Sequence, residues 1–561
     1  MMKMNILNPK FALPALLISI TAGYTSPVFA QSKNESKNFE MNKNLDIFYG
    51  IVRELDQFYV DSIKPDKLIK SGIDAMLSTL DPYTNYITET DLDDFKFMTT
   101  GEYGGIGSLI AVKDGKVLIS EPYEGLPAAK NGLKPGDIIV AIDGVPMDGK
   151  RVDEASASLK GEANTDVKLT IKRFATGKTE DIKIKREKIQ INSVAYANLV
   201  APKTGYIAIS SFTDKTGDEF KAAFLDLKNK GAESLIIDLR GNGGGVMEEA
   251  LKVVNYFVPK GEEILSTRGK LRQWDRVYKT TVEPLDTVMP IAVMVDQGSA
   301  SASEIVSGAL QDLDRAVIIG NRTFGKGLVQ SARGLSYNGN LKVTTAKYYT
   351  PSGRCVQAID YSRRNPDGSV GEIPDSLTSV FKTKNGREVR DGGGITPDIK
   401  TTVKTPPNIL FYLVNDLILF DFANQYAASH PEIAAAKDFK LTDEDYNAFK
   451  EFVKSKDFKY DKQSEKILEK LKEVAKFEGY MDGAEEEFKA LEGKLTHDLN
   501  RSLNTFRPDI EEFLAAEILK RYYYQKGATE YQLQYDDELK KTIETLSNPD
   551  KIKEILSVKK K

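Results

Sequence analysis

Apolar residues recur at helical spacing towards both ends of the chain and at strand spacing through its middle. Between residues 38 and 98, Leu45, Phe48, Ile51, Val52, Leu55 and Phe58 fall on one helical face, and Leu68, Ile69, Ile73, Met76 and Leu77 form a second stripe. Both stripes predict helices that turn an apolar side to a core. Asp81-Pro82-Tyr83-Thr84 interrupts the pattern. From 99 to 190 short β-type runs take over, at 106–112, 117–120, 138–142, 167–173 and 179–186. Turns at Lys113-Asp114-Gly115-Lys116, Lys134-Pro135-Gly136-Asp137 and Asp143-Gly144 separate them. Residues 206–209 then predict a strand, 218–230 an amphipathic helix carrying Phe220, Phe224 and Leu227, and 235–239 a second strand. That strand ends in Arg240-Gly241-Asn242-Gly243-Gly244-Gly245.

The run 291–295 is rich in β-branched residues and short enough for a buried strand; behind it Glu304, Ile305, Val306, Ala309, Leu310 and Leu313 recur at helical spacing. Residues 343–348 predict a further strand, and 361–390 are polar and punctuated by glycine, as a surface excursion would be. Beyond Pro407 the chain is helical again, with apolar faces at 409–428, 444–455, 463–477, 484–503, 508–525 and 537–556. The pattern as a whole predicts a multidomain α/β protein. A helical N-terminal segment (31–98) is followed by a β-module (99–190), an α/β core (191–402) and a helical C-terminal region (403–561).

Residues 1–30 have the form of a secretory signal. Lys3 and Lys10 give the positive flank, 11–22 the apolar stretch, and Val28-Phe29-Ala30 a cleavage site before Gln31. The apolar stretch is shorter than the ~20 residues of a membrane span, so a periplasmic or otherwise exported protein is expected, with an uncleaved anchor as the alternative. The formal charge of −4 becomes −6 once the two leader lysines are removed, and gives no sign of nucleic-acid binding. A single cysteine, Cys355, forms no intramolecular disulfide, and no His/Cys cluster has metal-ligand spacing. Neither a metal nor another cofactor is expected.

Ser299, Ser301 and Ser303 alternate with alanines on the turn between the 291–295 strand and the helix behind it, where side chains are exposed and backbone N–H groups unpaired. A serine needs a base beside it. The two histidines, His430 and His497, lie far downstream in the charged helical region, which argues against a Ser-His-Asp site. Lysine serves as a base when burial lowers its pKa, and Lys326, between Gly325 and Gly327 and beside Phe324 and Leu328, is the best-placed candidate; spacing alone does not say which serine it would serve. The loop after the 235–239 strand lacks the third glycine of a dinucleotide fingerprint, and no P-loop is present. Its glycines suit an oxyanion hole better, because they let a backbone N–H approach developing negative charge. Asp238 and Arg240 are expected to brace that loop rather than touch substrate.

Ser-Ala-Ser-Ala-Ser-Glu followed by Gly-Asn-Arg-Thr-Phe-Gly-Lys-Gly-Leu-Val-Gln resembles the carboxy-terminal processing peptidases (tail-specific proteases), the Ser-Lys endopeptidases of family S41. The resemblance implies Ser301 as nucleophile, Lys326 as general base and Gln330 as the residue that orients the lysine. It further implies that Ala302 and either Gly243 or Gly244 form the oxyanion hole, on a crotonase-like core. The run from Gly125 to Ile139 resembles the heart of a PDZ domain, with Tyr103-Gly104-Gly105-Ile106-Gly107 as its carboxylate loop. Such a loop converges backbone N–H groups on a chain-terminal carboxylate while the adjoining strand edge pairs with the peptide. Implied partners are protein substrates held by their C-termini, an adaptor or activator protein, and a second copy of the chain through the N-terminal helices. The rival expectations are an inactive PDZ scaffold, and a crotonase-type acyl-thioester enzyme, for which no adenine-nucleotide pocket is evident.

Overall fold

The computed structural model describes residues 28–558 apart from 366, 403, 461–462 and 496–498. Most of the signal sequence, His497 and the basic tail 559–561 lie outside the described residues. Among these residues no helix is long and apolar enough to cross a membrane. The chain divides into two units, one ending at Thr79 and the other running from Leu80.

The first unit is a helix pair, α1 (Val28–Phe58) and α2 (Pro65–Ser78), with the Phe48 ring against Gly72. The expectation that both stripes are buried core is corrected here. Leu45, Phe48, Ile51 and Phe58 of α1 and Leu68 and Met76 of α2 are exposed, whereas Leu77 is buried. Two helices offer one facing surface between them, too little to cover an apolar stripe on each.

The second unit opens at the Asp81–Thr84 corner. Asp81 Oδ1 accepts from the N–H groups of Tyr83 and Thr84, both at 2.8 Å, so the chain turns where helix was predicted to pause. A β-module follows. Strands β1 (Ser108–Lys113), β2 (Lys116–Pro122), β3 (Ile138–Ile142), β4 (Asp166–Lys172) and β5 (Thr179–Lys185) pair antiparallel in the order β1-β2-β3-β4-β5, and helix α3 (Val152–Leu159) packs beside β1. Alternate residues of these strands, among them Val117, Ile119, Val167, Leu169 and Ile171, fill one core with Ile106, Ala155 and Leu159.

The central sheet runs in the order β6 (Val194–Ala201), β7 (Thr204–Ile209), β8 (Ser234–Asp238), β9 (Ile291–Val295), β10 (Val317–Gly320), β11 (Ile399–Lys400), parallel from β7 onward. Helices α4 (Thr216–Asn229), α5 (Met247–Asn255) and α6 (Ala302–Asp312) cover one face, against Ile207, Leu235, Ile237, Val293 and Ile318. The alternate residues Tyr206, Ile236, Ala292, Met294, Val317 and Ile319 point to the other face. Leu539, Leu546 and Ile552 cover them from α14 (Asp537–Leu546) and α15 (Pro549–Ile555), reached after the helical C-terminal region. Burial on both faces is why these strands read as continuous apolar runs.

A second sheet pairs Leu328–Gly334 and Asn85–Ile87 with the long strand Asn340–Tyr349, which also meets Glu263–Gly269. In the C-terminal region, the predicted 409–428 helix is two, α7 (Asn408–Asn415) and α8 (Ile418–Ser429), because Leu417 takes a left-handed conformation (φ 57°). The next helices are α9 (Asp443–Ser455), α10 (Gln463–Phe477), α11 (Met481–Leu495), α12 (Leu499–Thr505) and α13 (Arg507–Gln532). Helices α7–α9, α12 and α13 share their own core. This region also holds the β-module, through Lys113 with Asp421 at 2.6 Å and Gln525 donating to Glu121 at 2.7 Å.

Candidate active site

Three neighbouring parallel strands deliver the site. β8, β9 and β10 are in register, and the loops leaving their carboxyl ends carry, in turn, Arg240–Gly245, Asp296–Ser301 and Asn321–Gly327. A parallel sheet opens its loops at this end, where ligands are bound.

The three serines separate by role. Ser299 and Ser303 are fully buried, and their hydroxyls donate to backbone carbonyls of the glycine loop, Ser299 to Leu239 O at 2.7 Å and Ser303 to Asn242 O at 2.9 Å. Ala300 N also donates to Asn242 O. They staple the two loops together. Ser301, partly exposed between them, is the N-cap of α6 with φ 56° and ψ −111°. Such a backbone costs a non-glycine residue about 1–3 kcal/mol, and lifts the side chain off the end of the helix.

Glu304, fully buried one turn into α6, ties this elbow to the lysine loop. Its Oε2 accepts from Ser301 N at 2.9 Å and from Lys326 N at 2.8 Å. Its Oε1 accepts from Gly325 N at 2.7 Å and from the Thr323 hydroxyl at 2.6 Å. Burial raises the pKa of this carboxyl; the four donors oppose that rise. In the sequence Glu304 stands in the helical pattern and closes the Ser-Ala-Ser-Ala-Ser-Glu run, with no role assigned to it. The Ser-x-x-Glu capping-box spacing was the signal that could have singled it out.

Lys326 is held by packed glycines, not in a solvated loop: Gly325 (φ +86°) leaves no room for a Cβ beside Ala358, nor Gly327 beside Gln357. Burial, with help from the charge of Lys342, pushes the Lys326 amine down to about 8, against the opposing pull of Glu304 and Asp81. Its Nζ lies 4.3 Å from the centroid of the Tyr83 ring. Among the described residues no hydrogen bond joins Lys326 Nζ to the Ser301 hydroxyl. Gln330 Nε2 donates to Thr344 Oγ1 at 3.3 Å.

On the glycine loop, Gly244 N donates to Asn242 Oδ1 at 2.8 Å. A Cβ on Gly244 would lie 2.7 Å from Ala300 O and 2.8 Å from the Ser301 Cβ, so this position has to be glycine. The N–H groups of Gly243 and Ala302 have no protein acceptor among the described residues. Asp238 and Arg240 brace the loop, as expected. Tyr206 OH donates to Asp238 at 2.6 Å, and the Arg240 guanidinium reaches Asp238 and Asp536 at 2.6 Å and Glu538 at 2.9 Å. Arg240→Ala would leave three largely buried carboxylates facing one another. The expected loss is about 3 kcal/mol, within the range for breaking buried pairs, read from the urea midpoint at unchanged slope.

The five loop residues of the β-module divide in two. Tyr103, Gly104 and Gly105 lie in a strand, Glu102–Gly105, paired with Glu187–Gln190; the Tyr103 ring packs edge-on against Phe97, and Gly104 touches the Gly161 backbone. Ile106 and Gly107 lead into β1. Their carbonyls accept from Ala128 N and Tyr123 N, while their own N–H groups have no protein acceptor among the described residues. The Ile106 side chain itself is buried in the module core.

Of the histidines, His430 stacks on Tyr426 in the C-terminal helices. Burial pushes the Cys355 thiol up, away from thiolate chemistry.

Residues 203–370 match peptidase family S41, 118–173 a PDZ domain, and 409–546 the family described as the C-terminal helical domain of a probable PDZ-protease. Among curated proteins, the carboxy-terminal-processing protease of Bartonella bacilliformis is 39% identical over 368 residues, covering 65% of this chain and 83% of the relative. A probable CtpA-like serine protease of Staphylococcus aureus is 32% identical over 466 residues, covering 82% and 91%. Of solved structures, a photosystem II D1 C-terminal processing protease aligns at 27% identity over 64% of this chain and 93% of its own, with a TM-score of 0.34. The peptide-bound PDZ domain of a Vibrio cholerae carboxy-terminal protease aligns at 29% identity over 16% and 99%, with a TM-score of 0.15.

Proposed function

The chain belongs to the carboxy-terminal-processing serine proteases of peptidase family S41 and carries a PDZ domain, and from that premise we propose that Ser301 and Lys326 form its catalytic dyad. The observation that carries this reading is the shared carboxylate oxygen: Glu304 Oε2 holds the backbone of both residues at once. Neutral Lys326 takes the proton from Ser301 Oγ as that oxygen attacks the scissile carbonyl carbon. The carbonyl oxygen becomes an oxyanion held by the N–H groups of Gly243 and Ala302, with Gly244 giving the close approach. Collapse breaks the C–N bond, and Lys326 gives its proton to the departing amine. Lys326, neutral again, then takes a proton from water as the water oxygen attacks the acyl carbonyl, and returns it to Ser301 Oγ as the ester bond breaks. Gln330, whose Nε2 is held by Thr344, steadies the lysine through its amide oxygen.

The PDZ module holds the C-terminal carboxylate of a substrate, or of an adaptor, on the Ile106 and Gly107 N–H groups, with the peptide strand added to the edge of β1. The leader 1–30 sends the protein out of the cytoplasm, and the exposed stripe of α1 is the face through which two copies pair.

Because the base must be neutral, kcat/KM rises tenfold per pH unit up to an acidic limb near 8 and levels off above it, the limb reporting the free enzyme. The test is hydrolysis of an unstructured protein across pH, with and without an apolar C-terminal tail, by protein starting at Gln31 and by its Lys326→Ala variant. A limb near the ordinary lysine value, or hydrolysis that survives Lys326→Ala, overturns the dyad. Tail binding without any cleavage would favour a peptide-binding scaffold.

A further inference from the structure

The Asp81–Thr84 corner does more than end the N-terminal helices. Three contacts fix its tyrosine. Asp81, itself buried, accepts from the Tyr83 N–H; the strand starting at Asn85 is paired with Asn340–Tyr349; and the Tyr361 ring meets the Tyr83 ring edge-on at 6.0 Å, their hydroxyls 3.5 Å apart. The face so presented lies 4.3 Å from Lys326 Nζ. The same corner reaches the partner of Gln330. Thr84 Oγ1 accepts from Thr344 N at 3.2 Å and lies 3.5 Å from Thr344 Oγ1, the atom to which Gln330 donates.

We propose that Tyr83 is a positioning residue for the general base: its ring face seats the Lys326 ammonium in the free enzyme, and the amine leaves that seat when it turns to Ser301. The inference rests on Lys326 being the base. An aromatic face attracts a cation and has little hold on a neutral amine, so the seat favours the charged form. It therefore works with Glu304 of α6 and Asp81 of the corner, and against burial and Lys342 of the neighbouring strand. Behind the ring, burial and the neighbouring Tyr361 hydroxyl push the Tyr83 hydroxyl up, which keeps it protonated. The sign follows. Weakening the face makes the ammonium easier to deprotonate, so the acidic limb of kcat/KM moves to lower pH.

The experiment compares pH profiles of the wild type, Tyr83→Phe, Tyr83→Leu and variants carrying 4-fluoro- or pentafluorophenylalanine at position 83, with Lys326→Ala alongside. Fluorination drains the ring face at nearly constant shape, which keeps the test sound if Tyr83→Leu fails to fold. Tyr83→Phe is expected to keep the wild-type limb, while Tyr83→Leu and the pentafluoro ring lower it by about one pH unit, with the 4-fluoro ring between. A limb that ignores fluorination overturns the inference, as does a full shift in Tyr83→Phe, which would assign the effect to the hydroxyl. Inert Lys326→Ala with an unmoved limb sinks only the role of Tyr83. Hydrolysis that survives Lys326→Ala sinks the base assignment and this inference with it.

Discussion

Ser301→Ala is expected to lower kcat by about 10⁶-fold, the scale seen when a serine nucleophile is removed, with the thermal midpoint at or above that of wild type. Stability is spared because the hydroxyl is not part of the staple between the loops, while the backbone at φ 56° is strained with either side chain. Ser299→Ala and Ser303→Ala are expected to do the reverse. Each removes a buried donor from a backbone carbonyl and costs about 1–3 kcal/mol of stability, while some hydrolysis remains. Gel assays beside thermal melts separate the cases, and cleavage by Ser301→Ala would mean that another group is the nucleophile. A run of three serines, ambiguous as a sequence, thus divides into two distinguishable results.

Glu304→Gln is expected to lower kcat by about 10²–10³-fold, since misplacement by an ångström costs on the order of 10² and here both members of the proposed dyad share one anchor. Each carboxylate oxygen takes two donors. Whichever way the new amide turns, its NH₂ faces two of them, leaving about 1–3 kcal/mol of unmet hydrogen bonding for each. Removing the negative charge also takes away one of the groups that hold Lys326 protonated. The residual activity should therefore show its acidic limb below that of wild type. A stable variant with full kcat would show that the anchor is dispensable. Glu304→Asp, which keeps the charge but shortens the reach, should retain the limb while still losing rate.

How much of this was legible in the chain differs by element. The strands of the β-module and core stood out through their periodicity, and the glycine loop and serine run through composition. What stayed hidden was chiefly contact between distant segments. Asp81-Pro82-Tyr83-Thr84 read as an interruption, because nothing local says that a strand 255 residues later will seat it beside Lys326. The strand Glu263–Gly269 is too polar for its period to show. Nor does the chain announce that the Asn242 side chain accepts from Gly244 N while Gly243 N has no protein acceptor among the described residues. The apolar stripe of α1 was legible as a stripe, but burial is a property of what lies opposite, and there the helix pattern misled. Conversely, the uninterrupted Leu235-Ile236-Ile237 run did announce a sheet covered on both faces, without saying that helices some three hundred residues later would provide the second cover.

The brace on the glycine loop has a consequence in time. Arg240 draws two of its three carboxylates from positions 536 and 538, and the outer face of the sheet is closed by residues 539–552. A growing chain therefore carries Ser301 and Lys326 long before it owns the residues that hold the glycine loop in shape. The loop takes its shape only once residues 536–552 have been made, so a copy whose synthesis stops short of them holds Ser301 and Lys326 beside an unbraced loop.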